Sequence, residues 1–277
     1  MMKAYKRALF YIARAITSAM IILVYLVPFY WMALTALKSQ GETLRFPPTF
    51  WVSPPRWDNF AVAFTTIPFL RYLGNSIIVT VFIILGQCFT VIPAAYAFAR
   101  LAFKGRQLLF GMTLATVMIP AQLVFLPVFL LMSRLGLINS HASLVLPSAA
   151  SAFGIFMLRQ TFRQVPEEVL EAARLDKAGE VRIMMEIMLP IARPTLVTLA
   201  LLTFISTWND YFWPLVLTTS DAVRTLPLGI ASLRMVGSGI TYHTVMAGNL
   251  LLILPIAAVF IVARRQIIKA FTYMGEK

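Results

Sequence analysis

The chain has 277 residues, 60% of them hydrophobic and only 13% charged, with a mean hydropathy of +0.81. Ordinary soluble domains carry about 25% charged residues, so these figures exclude a soluble enzyme and equally a disordered or fibrous chain. The formal net charge of +13 signals nucleic acid in a soluble protein and topology in a membrane protein, and its distribution along the chain decides which.

A helix crossing the hydrocarbon needs about 20 apolar residues, and six windows of that kind follow one another. The first, 15–37, is too long for the apolar core of a cleaved signal peptide. It holds bulky Phe29, Tyr30 and Trp31 with no A-x-A after them, so it is expected to be retained. An outer loop follows, in which Phe46-Pro47-Pro48 and Ser53-Pro54-Pro55 force extended or turning backbone. The second span, 73–99, contains the single cysteine, Cys88, which reads as a small packing residue. The third, 107–133, carries Pro120 and Pro127, which allow a broken or bent helix. The fourth, 142–158, is short; the fifth, 194–217, is the weakest, its charge-free stretch Pro194 to Asn209 being closed by Asp210; the sixth, 244–263, contains Pro255. The expected fold is all-α, a polytopic membrane protein built as one domain over 1–277.

Orientation follows from the Lys and Arg bias of the short flanking loops. With both termini in the cytoplasm, 17 basic residues lie inside and 7 outside. Nucleic-acid binding requires no such sidedness, and no nucleic-acid partner is expected. The inside excess sits at the N-terminus, between spans two and three, and in the C-terminal tail, where it meets anionic membrane lipid.

One inside segment differs. Residues 159–193 carry six acidic and six basic side chains and hence no net charge. Pro166 suits the first turn of a helix, and Glu167 and Glu168 place negative charge at its positive end. Val169, Ala172 and Ala173 then recur on one face, and Gly179 is placed to end the helix in a left-handed conformation. A second short helix is expected from Glu180 to Met188, stopping at Leu189-Pro190. The plain alternative is an interfacial amphipathic helix packing under the bundle.

The spacing in this segment resembles the EAA loop of ABC importer permeases, whose pattern is EAA-x3-G-x9-I-x-LP. Glu171, Ala172 and Ala173 supply the first three positions, and Ile187, Leu189 and Pro190 the last. The usual Gly is Lys177 here, flanked by Asp176 and Ala178, with Gly179 two residues on. Ala94 to Arg100, Met118-Ile119-Pro120 and Trp208 to Leu215 are similar to carbohydrate-uptake permeases. Within that family the chain resembles the second, shorter partner of maltose-type and glycerol-phosphate-type importers. The resemblance implies a type I importer permease in the bacterial inner membrane. It implies a heterodimer with a second permease subunit, two copies of a cytoplasmic ATPase and an extracytoplasmic solute-binding protein. It also implies that residues 171–173, 176–179, 187, 189 and 190 couple to the ATPase, with Glu171 pairing with a partner cation, and that the tail Phe271 to Lys277 reaches the ATPase dimer.

The residues themselves agree with that division of labour. A P-loop requires a Gly-Lys pair, and none occurs, so ATP and Mg are expected on the partner ATPase and no cofactor on this chain. Neither a metal-ligand cluster nor a catalytic constellation is seen in the sequence, and no enzyme activity is expected of it. Candidates for the solute pathway are Gln122, Trp208, Asn209, Asp210, Tyr211 and Asn249, because polar groups within spans are costly unless used, and sugars favour aromatic faces. Hydrogen bonding at an interface between permeases is the competing account, preferred for Asn75 and Gln87. A self-sufficient secondary transporter, or an ABC permease for a non-sugar solute, remains the alternative.

Overall fold

The structure, a computed structural model, describes residues 2–236 and 239–275, with side chains described over 10–234 and 241–264. It is all-helical apart from one two-stranded antiparallel ladder, β1 (Met235–Val236) with β2 (Gly239–Ile240). By internal contacts the chain divides into two units, Met1–Phe69 with Gly229–Leu254, and Leu70–Leu228 with Pro255–Lys277.

The first unit opens with α1 (Met2–Ala36), whose apolar stretch Phe10–Ala36 is long enough to cross a membrane; it is exposed from Phe10 to Trp31, and only its end, Leu34 to Ala36, is buried. The outer loop after it is ordered by polar contacts. Ser39 caps α2 (Gln40–Thr43) in a reciprocal capping box with Glu42. Asn59, near the start of α3 (Asp58–Thr66), donates from Nδ2 to the carbonyls of Ala36 at 2.8 Å and Lys38 at 2.9 Å. Lys38 is buried, its Nζ donating to the Thr49 carbonyl at 2.7 Å and lying 4.7 Å from the Trp31 ring centroid. As the proline pairs imply, no helix forms between residues 44 and 57.

In the second unit α4 (Phe69–Arg100) is the long unbroken element, again of crossing length. The window at 107–133 is interrupted: α5 (Arg106–Thr116) and α6 (Phe125–Arg134) are separated by turns and a 3-10 segment at Ala121–Leu123. Pro120 lies in the break, where it cannot donate and disfavours helix in the residue before it, while Pro127 sits harmlessly in the first turn of α6. α7 (His141–Val145), the 3-10 segment Leu146–Ser148 and α8 (Ala152–Gln164) form a pair bent by 43°. Next come α9 (Glu167–Leu175), α10 (Glu180–Arg182), a π-helical stretch Ile183–Met188, α11 (Leu189–Ile191) and α12 (Arg193–Trp208). The chain bends by 79° between Glu180–Ile191 and α12. It continues through α13 (Phe212–Leu217) and α14 (Leu226–Ser232) to α15 (Tyr242–Gly275), whose Tyr242–Arg264 portion is apolar and of crossing length.

Gln87 explains how the middle of α4 is held. Its Nε2 donates to the Ser148 carbonyl at 3.0 Å, and its Oε1 accepts from Thr203 Oγ1 at 2.7 Å. One side chain thus ties α4 to the turn before α8 and to α12. Gly86 permits the close approach, since a Cβ there would lie 2.9 Å from that of Ala149. Asn75 works the same way near the start of α4, donating to the carbonyls of Ala222 and Arg224, each at 2.9 Å, with its Oδ1 2.9 Å from His141 Nε2. The preference for an interface between permeases is corrected for both residues. Their polar atoms are satisfied inside this chain, because α4 and the later segments close on them.

Candidate functional site

The segment 159–193 packs as a unit onto the end of α4. Leu170 and Ala173 of α9, Ile183 and Met188 of the π stretch, and Ala192 are buried with Val91, Ala95, Tyr96, Leu158 and Phe162 in one apolar cluster. This corrects the expected inner face of α9. Leu170 and Ala173, three apart, point inward, whereas Val169 and Ala172 are exposed. This rotation seats Leu170 among Tyr96, Phe162 and Ile183, which other elements bring to the cluster, so the apolar surface buried is set by those neighbours.

A chain of charged hydrogen bonds surrounds the cluster. Arg100, the last residue of α4, donates from Nε at 3.1 Å and Nη2 at 2.6 Å to the Phe162 carbonyl, and from Nη2 also to the Val165 carbonyl. Its Nη1 meets Glu167 Oε2 at 2.7 Å. Glu167 Oε1 accepts from Arg174 at 3.1 Å, and Arg174 Nε donates to Glu180 Oε1 at 3.1 Å. Tyr96 donates its O–H to the other oxygen of Glu180. That phenol and the Arg174 guanidinium hold the Glu180 carboxyl below the ordinary carboxylate value, against a smaller opposing effect of burial. Arg100 therefore caps the carbonyl end of α8 and, through Glu167, the start of α9. Sequence reasoning misses this clamp: there Arg100 is an inside charge and the end of the Ala94–Arg100 stretch similar to carbohydrate-uptake permeases.

The turn between α9 and α10 also departs from expectation. Lys177, not Gly179, takes the left-handed conformation, with φ of 60°. Its N–H donates to the Arg174 carbonyl at 2.9 Å and that of Ala178 to the Ala173 carbonyl at 3.0 Å, the paired bonds of a Schellman ending with Lys177 at C′. Gly179 is extended, φ −70° and ψ 158°, and stands before α10. The physical reason is that Ala178 and Ala173 pack in the same cluster, which fixes the carbonyl that the turn must reach. Nor does the second helix stop at Leu189-Pro190. Pro190 cannot donate back to the Glu186 carbonyl, and the chain widens into the π-helical stretch before it and continues to Ile191.

What remains outward is distinctive. Glu171, Ala172, Asp176, Lys177, Gly179 and Pro190 are exposed, and Ala178, Ile187 and Leu189 half-buried. Among the described residues Glu171 and Asp176 form no ion pair. Beside them Leu175 is 83% exposed and Val181 70% exposed. With Glu168, also exposed and in no ion pair among the described residues, a rigidly held helix thus presents three unpaired carboxylates and an apolar strip.

The pathway candidates fall into two groups. Gln122 lies exposed in the α5–α6 break, and Asn209, Asp210 and Tyr211 form the break between α12 and α13. The two interruptions meet through an edge-on contact of Phe125 and Phe212, ring centroids 6.1 Å apart. Asp210 Oδ1 accepts the Trp213 N–H at 3.2 Å, and Asn209 Nδ2 donates to the Ile205 carbonyl at 2.8 Å. Trp208 is buried and stacked on Phe204 at 5.3 Å, so its ring faces the interior of the chain. Asn249 is half-buried on α15 in the other unit. The tail side chains, Phe271 to Lys277, lie outside the described residues.

Known proteins agree with this architecture. Residues 91–272 match the family described as "Binding-protein-dependent transport system inner membrane component". The chain is 35% identical over 244 residues to the arabinooligosaccharides transport system permease protein AraQ of Halalkalibacterium halodurans, covering 88% of this chain and 86% of that one. It is 31% identical over 255 residues to the sn-glycerol-3-phosphate transport system permease protein UgpE of Yersinia enterocolitica, covering 90% and 91%. Its fold is similar to a chain of a bacterial ABC transporter involved in alginate import, with a TM-score of 0.81, 24% identity, and 93% and 96% of the two chains covered. A charge-clamped loop packed onto the end of the long apolar helix α4, found on a sequence with these relatives, identifies the chain as a member of the family of inner membrane components of binding-protein-dependent transport systems, a transport permease.

Proposed function

We propose that the chain is one of two permease subunits of an ATP-driven importer for a carbohydrate-type solute: a sugar, an oligosaccharide or a glycerol-phosphate-like compound. In this reading it is one domain with six spans, at 15–37, 73–99, 107–133, 142–158, 194–217 and 244–263, and both termini in the cytoplasm. The second permease, two ATPase subunits and an extracytoplasmic solute-binding protein complete the assembly. ATP and Mg are held by the ATPase. The carbohydrate class is supported by the relatives named AraQ and UgpE.

The observation that carries the coupling role is the contrast between the two sides of α9. Its inner side is locked to α4 and α8 through Leu170, Ala173 and the Arg100–Glu167–Arg174–Glu180 chain. Its outer side offers Glu171, in no ion pair among the described residues, next to Ala172 and exposed Leu175. A partner that grips the outer side moves α4 and α8 with it. Those helices belong to the unit in which the two helix breaks meet at Phe125 and Phe212, where irregular backbone within a span serves a polar path.

The test is Glu171→Arg in the assembled transporter. Truncating one side of a buried charged pair costs about 2–5 kcal/mol, and reversing its sign weakens binding at least as much. The expected outcome is loss of ATPase co-purification, or hydrolysis uncoupled from uptake, with the chain itself still folded. Wild-type uptake and ATPase stimulation would remove the docking role.

A further inference from the structure

Three carboxylates of the clamped loop are matched by its own or neighbouring cations. Glu167 pairs with Arg100 and Arg174, Glu180 with Arg174, and Glu186 with Arg182. A second set of cations in the same unit has no such match. Arg106 is the first residue of α5, Arg159 and Arg163 lie one turn apart on α8, and α5 packs against α8. Arg159 is oriented by neutral groups: its guanidinium carbon is 3.9 Å from the Phe110 ring centroid and its Nε donates to the Phe98 carbonyl at 3.1 Å. Arg106 Nη1 donates to the Leu101 carbonyl at 3.0 Å. Among the described residues none of the three forms an ion pair. They nevertheless feel one another. The Arg159 pKa is pushed down by burial and then by Arg163 and Arg106. Like charges gathered without a counter-charge raise the free energy of the fold until an anion joins them.

Their surroundings say which anion. Arg106 precedes the third span by one residue and Arg159 follows the fourth by one, so both stand at the expected boundary between hydrocarbon and cytoplasm. Phe103, Leu108 and Leu109 are exposed, and Leu108 and Leu109 are the second and third residues of the expected third span. Arginine at such a boundary keeps its stem against apolar groups and its head at headgroup level. The planar guanidinium also binds phosphate oxygens in pairs.

We propose that Arg106, Arg159 and Arg163 form a binding site for the phosphate of an anionic phospholipid headgroup in the cytoplasmic leaflet, with Phe103, Leu108 and Leu109 beside its acyl chains. The lipid is the missing counter-ion, and it ties the α5–α8 pair to the membrane surface while α9 is gripped by the ATPase. The site rests on the cytoplasmic placement proposed above.

The test uses the assembled transporter, purified from membranes and reconstituted in phosphatidylcholine nanodiscs with or without phosphatidylglycerol. Bound lipid is counted by native mass spectrometry. Arg163→Gln and Arg106→Gln remove charge while leaving the Arg159 contacts in place, and Arg193→Gln makes the same charge change elsewhere. A hydrogen bond to a charged group contributes about 1.5–3 kcal/mol, so each of the first two substitutions is expected to weaken phosphatidylglycerol retention at least about tenfold, and Arg193→Gln, which loses only the general attraction of about 1 kcal/mol to an anionic surface, no more than about fivefold. Equal loss in all three variants would reduce the site to general surface charge and overturn it. Wild-type lipid retention with lost ATPase co-purification would overturn it in favour of an acidic protein partner. Displacement of the lipid by inorganic phosphate at equal affinity would overturn it in favour of a free anion. Failure of the placement reads differently: Lys104→Cys in a Cys88→Ser background would then react with an impermeant maleimide added outside intact cells.

Discussion

Two helices of the same unit end in the same way on different residues. After α6, Gly136 takes φ of 68°, its N–H donating to the Ser133 carbonyl at 3.0 Å and that of Leu137 to the Met132 carbonyl at 2.9 Å. After α9, Lys177 takes φ of 60° and the corresponding bonds measure 2.9 and 3.0 Å. Each turn closes over an apolar pair, Met132 with Leu137 in one cluster and Ala173 with Ala178 in the other. The turn is therefore dictated by the apolar pair and the carbonyls it must reach. Glycine only removes the steric penalty, about 1–2 kcal/mol for a residue with a Cβ.

What compensates at Lys177 is the second difference. The chain beyond Gly136 is fixed by neutral groups: Asn139 Oδ1 accepts from the N–H groups of Thr219 at 3.0 Å and Ser220 at 2.9 Å. The chain on either side of Lys177 is fixed by charge, with Arg174 and Glu180 bonded across the turn and Arg100 holding the start of α9. The charged turn is also the one that presents the side chains proposed above to dock the ATPase.

The comparison breaks most severely at Arg100. Replacing it with Gln removes charged hydrogen bonds to two carbonyls and Glu167, and is expected to lower stability by about 2–3 kcal/mol. Hydrogen exchange should rise across 162–183 and stay unchanged around 135–140; equal loosening at both turns would refute the idea of a local tether. Gly136→Ala comes next. No atom lies within 4 Å of a Cβ placed there, so the loss of about 1 kcal/mol is purely backbone strain, read as a shift in denaturation midpoint. Lys177→Gly runs the other way and should raise stability by about 0.5–1 kcal/mol, because relief of strain exceeds the added freedom of the unfolded chain.

The smallest effect is the pH dependence. Glu180 titrates below its ordinary value of 4.5 because Tyr96 and Arg174 favour its charged form. A depressed carboxyl contributes stability that is present above its unfolded pKa and lost as pH falls through the folded one. The stability gap between wild type and Glu180→Gln should accordingly be open at neutral pH and close below about 4.5. A gap independent of pH would assign Glu180 a packing role instead.

How much was legible in advance can be judged from these residues. The helix start at Glu167, the short second helix and the whole EAA spacing are local patterns, and they were read from the sequence. The rotation of α9 was not, because choosing Leu170 over Val169 depends on Tyr96, Phe162 and Ile183, which come from other elements. Arg100 looked like one more inside charge, since its partners lie 62 to 67 residues away. The pathway was half legible. Pro120 marks the first interruption and Asp210 the end of a charge-free stretch, whereas the break after Trp208 and the inward packing of that ring against Phe204 follow from how α12 is placed.

The sequence by itself determined the membrane character of this protein, the biased placement of its basic residues, and the position and spacing of the loop. Each is a property of composition or of neighbours within about one helix. Only the tertiary structure decided which side of α9 stays free, that a lysine rather than a glycine takes the left-handed turn, and which arginines find carboxylates. Those outcomes turn on contacts between segments distant in the chain, where burial and charge pairing outweigh local preference.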